Sequence, residues 1–252
     1  MENLNVFVLG SLASLIAGLA TSLGAIPVLF LKKQPSEKQL DMYLAFASGV
    51  MLAATMFSLI VPSIDIGGPL IMVIGVVLGA VTIELFDVFS PHEHFLKGHE
   101  GPNTALVKKV WLFVIAITLH NFPEGMAVGV SFGGEMIKNG LVVATAIGIQ
   151  NIPEGTATAF SFIQAGYSKK RSFFMSTLTG LVEPLGGILG ASLVVFMKPA
   201  LPFFLAFAAG AMLYVISDEI IPETHSHGNE RIATFSLIVG FLLMTVLDNT
   251  LG

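Results

Sequence analysis

Long apolar runs fill almost the whole chain and restrict it to a membrane fold. Hydrophobic residues make up 54% of the 252 residues and charged residues only 12%, and the mean hydropathy of +0.83 lies outside the range of soluble globular proteins. Backbone polar groups in a bilayer need internal partners, so only helices and closed barrels can span it. The runs are continuous over about 20 residues, as helices require. We therefore predict an all-α integral membrane protein with a single domain, residues 1–252.

The apolar runs predict eight transmembrane helices. Their ranges are 4–31, 40–62, 68–89, 108–132, 137–164, 171–197, 201–222 and 231–250. The first run lacks the basic region of a signal peptide and is too long for one, so we expect it to be a span. With eight spans, only Lys138 and Lys198 fall on one side of the membrane, and the other Lys and Arg residues fall on the opposite side. Basic short loops stay cytoplasmic, so we expect both termini outside and the histidine-containing loop 90–107 inside.

A polar motif occurs twice within these apolar runs. His-Asn-Phe-Pro-Glu-Gly at 120–125 recurs as Gln-Asn-Ile-Pro-Glu-Gly at 150–155. Helical spacing places the first and fifth residues of each copy on one face. Ionisable side chains in hydrocarbon are costly unless they face a cavity, a partner or an ion. Imidazole, carboxylate and amide groups suit Zn²⁺ and similar divalent ions, and the chain has no cysteine. The motifs favour metal-ion transport over helix kinks with incidental acids.

Two other pairs of segments are also related. The offsets between their members are 161 and 162 positions: 44–52 aligns with 205–213, and 18–26 with 180–188. The partners are five spans apart and so cross the membrane in opposite directions. This predicts an inverted 3+2+3 repeat with the two motif helices at its centre and a metal site in the bundle core. Such repeats are typical of carriers that alternate access around a midplane site, although a purely structural duplication remains open.

The two halves of the repeat differ in their acids. Glu183 stands where the first half has Thr21, and Asp218-Glu219 stand where it has Phe57-Ser58. We expect Glu183 to be a further metal ligand because an unpaired carboxylate within a span is costly; a neutral packing carboxyl is the alternative. Three carboxylates and one histidine suit either two adjacent ions bridged by a glutamate or one ion with supporting acids.

These motifs and their positions in the spans resemble the ZIP (Zrt/Irt-like) divalent-metal transporters, particularly the short prokaryotic GufA-like members. The resemblance implies a binuclear site in spans 4, 5 and 6, uptake toward the cytoplasm, a homodimer and an elevator-like movement of spans 1, 4, 5 and 6. The sixth span carries Val182-Glu183-Pro184 in keeping with this. Met51 is similar to the family's thioether contact, and a core methionine is the alternative. The metal-site residues implied are His120, Asn121, Glu124, Gln150, Asn151, Glu154, Glu183 and Met51.

Polar residues near the two mouths suggest a path. At the outer side the candidates are Ser58, Asp65 and Asp248, and solvated helix ends are the alternative. The exit candidates at the inner side are Asp41, Glu84, Asp87, Asp218, Glu219 and Glu223. The histidines expected to capture metal in the cytoplasmic loops are His92, His94, His99, His225 and His227. A histidine-rich tract of this kind indicates metal capture or sensing, and a merely solvated loop is the rival interpretation.

We therefore predict a carrier in the cell (plasma or inner) membrane that moves divalent metal ions into the cytoplasm. Zn²⁺ is the favoured substrate, and Cd²⁺, Fe²⁺, Mn²⁺ and Co²⁺ are compatible. The metal and the lipid bilayer are the expected partners, with no organic cofactor, nucleotide or nucleic acid; the nucleotide-binding pattern G-x-x-x-x-G-K-[ST] is absent. The alternatives are a metal-gated channel or sensor and, more remotely, an intramembrane metallohydrolase. An enzyme is not expected, because the zinc-protease pattern H-E-x-x-H is also absent.

Overall fold

Long helices form nearly all of the structure. The computed structural model describes residues 2–31, 33, 35–89, 92–94, 98–100, 109–133 and 137–251. The α-helices, in chain order, are α1 Glu2–Ala25, α2 Pro27–Phe30, α3 Glu37–Ala54, α4 Val61–Phe89, α5 Lys109–Ser131, α6 Ile137–Gln164, α7 Lys169–Gly180, α8 Glu183–Phe196, α9 Leu201–Tyr214, α10 Ile221–Thr224 and α11 Glu230–Leu251. Two π-helical segments, Thr55–Ile60 and Val215–Ile220, and a 3₁₀ turn, Lys198–Ala200, join some of them.

A short hairpin is an addition to the predicted all-α fold. Strands β1, His92–His94, and β2, Gly98–Glu100, pair antiparallel within the predicted cytoplasmic loop. His92 lies opposite Glu100, and His94 lies opposite Gly98. The residues of the two strands are all His, Glu or Gly, so neither strand has an apolar face.

Helix boundaries follow local residue chemistry. Pro27 lacks an amide hydrogen, and the predicted first span 4–31 is divided before it into α1 and α2. Helix α3 begins three residues before its predicted start because Ser36 and Gln39 form a capping box: the Gln39 amide donates to Ser36 Oγ, and the Ser36 amide donates to Gln39 Oε1 at 2.9 Å. The predicted span 171–197 matches one candidate span, Lys169–Phe196. Turn residues within it separate α7 from α8 just before Glu183-Pro184.

The two π-helical segments occupy matching positions in the chain. Each ends just before an apolar residue and a proline, Val61-Pro62 in one case and Ile221-Pro222 in the other. A proline ring collides with the carbonyl group four residues earlier in a regular α-helix. A wider π turn at that point relieves the collision. In the first segment the carbonyl concerned belongs to Ser58, and it accepts a hydrogen bond from Asn139 Nδ2 at 3.0 Å.

Glycines allow close packing of α3 with α11 and of α4 with α9. A Cβ atom built on Gly49 would meet the backbone of Leu237 in α11, and one built on Gly210 would meet the backbone of Val76 in α4. The two contacts are related by a constant offset of 161 positions (210 − 49 and 237 − 76). Gly79 against Phe207 and Gly240 against Phe46 form a second pair with the same offset. Close approach of backbones through small residues is the usual mode of helix association in membranes.

The outer surface is apolar over much of its length. Large hydrophobic side chains such as Leu70, Val77 and Leu242 are exposed on α4 and α11. Among the described residues, five helical segments are long and apolar enough to cross a membrane: Asn5–Phe30, Glu37–Phe89, Lys169–Phe196, Lys198–Thr224 and Glu230–Leu251. The second contains 53 residues, more than twice the length of about 20 that one crossing needs, and Gly68 interrupts it with a φ of 78°. The described part of the chain is thus helical apart from the hairpin and short turns, with the lengths and apolar surfaces of a membrane protein.

Candidate metal site

Four helical elements meet around the two polar motifs. Helix α5 carries the first motif and packs against α8, while α6 carries the second and packs against α1. Gly125 and Gly155, which end the motifs, make these contacts possible: a Cβ on Gly125 would meet the backbone of Glu183, and one on Gly155 would meet the backbone of Thr21. The motif glycines therefore fix how close each glutamate-bearing helix comes to its neighbour.

The two motif asparagines hold the helices together through equivalent hydrogen bonds. Asn121 Nδ2 donates to the carbonyl oxygen of Thr179 at 3.1 Å, and Asn151 Nδ2 donates to that of Ala17 at 2.8 Å. Both side chains are fully buried. A buried amide group that bonds a backbone carbonyl is held in one orientation, because the cost of leaving it unpaired is high. Each asparagine thus orients the polar face of its own motif.

The second motif also supplies an amide to each of two buried carboxylates. Gln150 Nε2 donates to Glu124 Oε1 at 2.5 Å, and Asn151 Nδ2 donates to Glu183 Oε1 at 2.7 Å. Glu124 and Glu183 are 1% and 0% exposed. These bonds bring together residues from α5, α6 and α8, which the sequence predicted to share one site.

Several oxygens of this cluster have no hydrogen-bond partner among the described residues. They are Oε2 of Glu124, Oε2 of Glu183, Oε1 of Gln150 and the Oδ1 atoms of Asn121 and Asn151. All are acceptors, and they belong to residues of α5, α6 and α8. Buried acceptors without donors are costly, and oxygens of carboxylate and amide groups are ligands for divalent cations. These unpaired oxygens are therefore chemically suited to bind a cation.

His120 has a different partner from the one expected. Its Nε2 atom contacts Glu219 Oε2 in the π-helical segment before α10. Glu219 was predicted to line the exit path, so this contact links the first motif to a predicted path residue. Among the described residues, no three Asp, Glu or His side chains lie close enough together to hold one ion. Gathering the predicted ligands around one ion thus requires side chains to move.

The other two predicted ligands differ in their surroundings. Glu154 is half-buried, one residue before the contact between Gly155 and Thr21. Met51 is 1% exposed and belongs to the main apolar core together with Leu59 and Met212. The structure therefore places Met51 in the core environment that was its alternative interpretation.

Two of the three predicted entrance residues, Ser58 and Asp248, contact each other. Ser58 donates a hydrogen bond to Asp248 Oδ1 at 2.5 Å, which links the first π-helical segment to α11. Asn139 at the start of α6 binds the carbonyl of the same serine. Asp65 is exposed and lies apart in the first turns of α4. Ser58, Asp248 and Asn139 therefore form one polar contact among three helices.

The predicted exit residues have different partners and different exposure. Asp41 is buried and accepts hydrogen bonds from Asn229 Nδ2, at 2.8 Å, and from His227 Nδ1, at 3.0 Å. Glu84 accepts a hydrogen bond from the hydroxyl group of Tyr214 in α9. The remaining acids differ in exposure: Asp87 and Glu219 are buried, and Asp218 and Glu223 are half-buried.

The histidines predicted to capture metal have distinct environments. His225 is within hydrogen-bond distance of the carbonyl of Ile221 and the hydroxyl groups of Thr224 and Thr234, so it closes the turn between α10 and α11. His227 is bound to Asp41, as described above. The side chains of His92, His94 and His99 lie outside the described residues.

Three kinds of group that contact the predicted site and path residues were not identified from the sequence. Asn139 and Asn229 bind predicted path residues, and each is a single asparagine near a helix start with no motif around it. The backbone carbonyls of Ala17 and Thr179 orient the motif asparagines and have no sequence pattern at all. Thr21 was noted only as the counterpart of Glu183, and the structure places it against the second motif.

Comparison with known proteins relates nearly the whole chain to one group. A family model described as ZIP zinc transporter matches residues 90–248. A protein named zinc transporter GufA, from Myxococcus xanthus, is 45% identical over 96% of this chain and 99% of its own length. Zinc transporter ZIPB of Bordetella bronchiseptica is 43% identical over 92% of this chain and 78% of its own. Zinc transporter ZupT of Chlorobaculum parvum is 36% identical over 92% of this chain and 94% of its own.

Proposed function

Because the chain belongs to the ZIP zinc transporter family, we propose that it carries Zn²⁺ and related divalent ions across the cell membrane into the cytoplasm. The relatives that match it over almost its full length are named zinc transporters. The observation that carries the proposal is the pair of buried carboxylates, Glu124 and Glu183. Each has one oxygen held by an amide from the second motif and another oxygen with no partner among the described residues.

The proposed site uses the residues expected from the motifs. Glu124, Glu154 and Glu183 would supply carboxylates and His120 the imidazole, with Asn121, Gln150 and Asn151 as neutral oxygen ligands; together they suit two adjacent ions. For His120 to bind an ion it must leave Glu219. We infer that this exchange passes the ion from the site to the acidic residues near the cytoplasm, because Glu219 is itself buried beside that exit.

The proposed topology has eight spans in an inverted 3+2+3 repeat. The constant 161-position offset between the glycine contacts of α3 with α11 and of α4 with α9 supports it. A second set of contacts supports the central pair: the Asn121 bond to Thr179 corresponds to the Asn151 bond to Ala17, with offsets of 30 (151 − 121) and 162 (179 − 17). The 53-residue segment Glu37–Phe89, broken at Gly68, has the length for two crossings.

We also propose that the transporter lies in the lipid bilayer and forms a homodimer. The exposed apolar side chains of α4 and α11 suit lipid contact, and the resemblance to the family supports a homodimer. An inside-negative potential of about 100 mV would add roughly 4.6 kcal/mol of inward drive to a divalent cation. Organic cofactors and nucleotides have no role in this mechanism.

Uptake by reconstituted protein tests the proposal. The full chain is placed in liposomes, and uptake of radioactive Zn²⁺ is measured for the wild type, Glu124→Gln and Glu154→Gln. Both substitutions preserve shape and remove a charge that would bind the ion, so we expect uptake to fall at least tenfold. Glu230→Gln is the matched control, since Glu230 is an exposed acid at the start of α11, and it should transport like the wild type.

Two outcomes of this experiment would overturn the proposal. One is the absence of Zn²⁺ uptake by the folded wild-type protein. The other is undiminished uptake in both site variants. Saturation of the uptake rate with rising metal concentration and competition among ions are expected for a carrier, whereas a rate that rises without saturation would favour the channel.

A further inference from the structure

We propose that Thr21 completes the metal site: its hydroxyl oxygen contacts the transported ion, directly or through one water molecule, as the neutral counterpart of Glu183. This inference rests on the proposed transport function and adds a residue from α1 to a site otherwise built from α5, α6 and α8. It makes Thr21 a determinant of metal affinity and selectivity.

The backbone around Thr21 matches the backbone around Glu183. The carbonyl group of Thr21 lies against Gly155 at the end of the second motif, and that of Glu183 lies against Gly125 at the end of the first. On the opposite side, a Cβ on Gly180 would lie 2.8 Å from the Thr21 Cβ, and one on Gly18 would lie 3.3 Å from the Glu183 Cβ. Both side chains therefore occupy equivalent places beside the motifs, in space left by a glycine.

The hydroxyl group of Thr21 has no hydrogen-bond partner among the described residues, although Thr21 is only 1% exposed. A threonine in a helix normally donates to a carbonyl three or four residues earlier. Thr179, the comparable buried threonine of α7, does so: its Oγ1 donates to the carbonyl of Ser176 at 2.8 Å. Leaving a buried hydroxyl unpaired is unfavourable, so the hydroxyl of Thr21 is available to a group that the described residues do not supply.

A neighbouring unpaired atom indicates the charge of that group. Asn121 Oδ1 also has no partner among the described residues. Its amide nitrogen binds the carbonyl of Thr179, and the next residue, Gly180, lies against Thr21. The hydroxyl oxygen of Thr21 and Oδ1 of Asn121 are both neutral acceptors beside this end of α7. A divalent cation, or a water molecule bound to it, would pair with both. Glu183 with Asn151 makes the corresponding pair in the other half, with a charge.

A neutral oxygen at position 21 has a functional consequence. A carboxylate there would give the site a fourth negative charge and hold a divalent ion more tightly. Release into the cytoplasm would then be slower. Threonine retains a contact with the ion while keeping the site weak enough to release it.

The experiment measures initial rates of Zn²⁺ uptake in proteoliposomes over a range of concentrations, together with competition by Mn²⁺ and Cd²⁺. Thr21→Val preserves shape and removes the oxygen, so we expect KM for Zn²⁺ to rise about 2- to 10-fold, the range for loss of one neutral contact. Thr21→Ser restores the hydroxyl and should return KM to the wild-type value. Thr21→Glu should lower both KM and kcat and shift the competition between ions.

Thr245→Val is the matched control, because it removes a half-buried threonine hydroxyl in α11 that already donates to the carbonyl of Phe241 on its own helix at 2.8 Å. Its KM should stay within twofold of the wild type. An unchanged KM in Thr21→Val would overturn the inference. If that variant fails to fold, an unchanged KM in Thr21→Glu overturns it instead. If the wild type takes up Zn²⁺ normally, an unchanged KM in these variants refutes only the role of Thr21. If the wild type takes up no Zn²⁺, the transport function itself is refuted.

Discussion

Replacing Gly155 by alanine should destabilise the protein and impair transport, because the substitution forces α1 and α6 apart at the proposed metal site. A Cβ on Gly155 would lie 2.1 Å from the carbonyl oxygen of Thr21 and 2.8 Å from the carbonyl carbon. Ordinary contacts between carbon atoms are about 3.5–4.0 Å, so the helices must separate by roughly 0.7 Å or more. Both sides of the contact are backbone, so a side-chain rotation cannot relieve it.

The expected loss of stability is about 1–3 kcal/mol, the usual cost of overpacking. Thermal unfolding in detergent measures it. The same displacement moves Glu154, the preceding residue, away from its neighbours, so Zn²⁺ uptake should fall as well. Small displacements of this size in a binding site are enough to change rates strongly.

Gly148→Ala is the control for this prediction. Gly148 lies two turns earlier on the same helix, and the nearest atom to a Cβ there is the Cα of Ala17 at 3.9 Å, an ordinary contact. Both variants gain the same helix propensity of about 1 kcal/mol from the change to alanine, so the difference between them isolates the steric term. Equal stability and equal uptake in the two variants would refute the reasoning.

Three further substitutions test other contacts. Ser58→Ala removes the hydrogen bond to Asp248 and should cost about 1.5–3 kcal/mol of stability, the range for a bond to a charged group; an unchanged unfolding temperature in detergent would contradict it. Asp41→Asn replaces one acceptor oxygen of a buried carboxylate by a donor, so we expect a loss of about 1–3 kcal/mol in the same assay, with an unaltered melting curve as the contrary result. Gln150→His supplies a second imidazole and removes the amide donor of Glu124, so the relative affinities for Zn²⁺ and Mn²⁺ in a metal titration should change, and identical affinities would count against a role for Gln150.

Local patterns predicted the helices and the composition of the site. The apolar runs located the helices to within a few residues in most cases. The helical spacing of the two motifs indicated that Glu124, Gln150 and Asn151 belong to one site. In the structure Gln150 donates a hydrogen bond to Glu124, and Asn151 donates one to Glu183. Inferences of this kind depend on interactions within one helix, or on the cost of polar groups in an apolar environment, and both can be assessed from local sequence. That these residues bind a metal stays a prediction. The capping box at Ser36 and the division before Pro27 have the same local origin.

The partners of the site residues depended on the packing of helices. The sequence placed His120 among the ligands but could not show that it contacts Glu219, 99 positions later (219 − 120). Likewise, no pattern marks the carbonyls of Ala17 and Thr179 as the acceptors for the two asparagines. Such contacts are set by the rotation and separation of neighbouring helices, which the glycine contacts determine.

The sequence by itself determined that this chain is a helical membrane protein with duplicated polar motifs, because the bilayer excludes most other structures and penalises every buried charge without a partner. Only the tertiary structure decided which oxygens remain without donors and which are held by amides. The physical reason is distance: hydrogen bonds and metal ligation act over about 3 Å, so each depends on the exact approach of two helices. The unpaired hydroxyl of Thr21, which follows from that approach, is the clearest example.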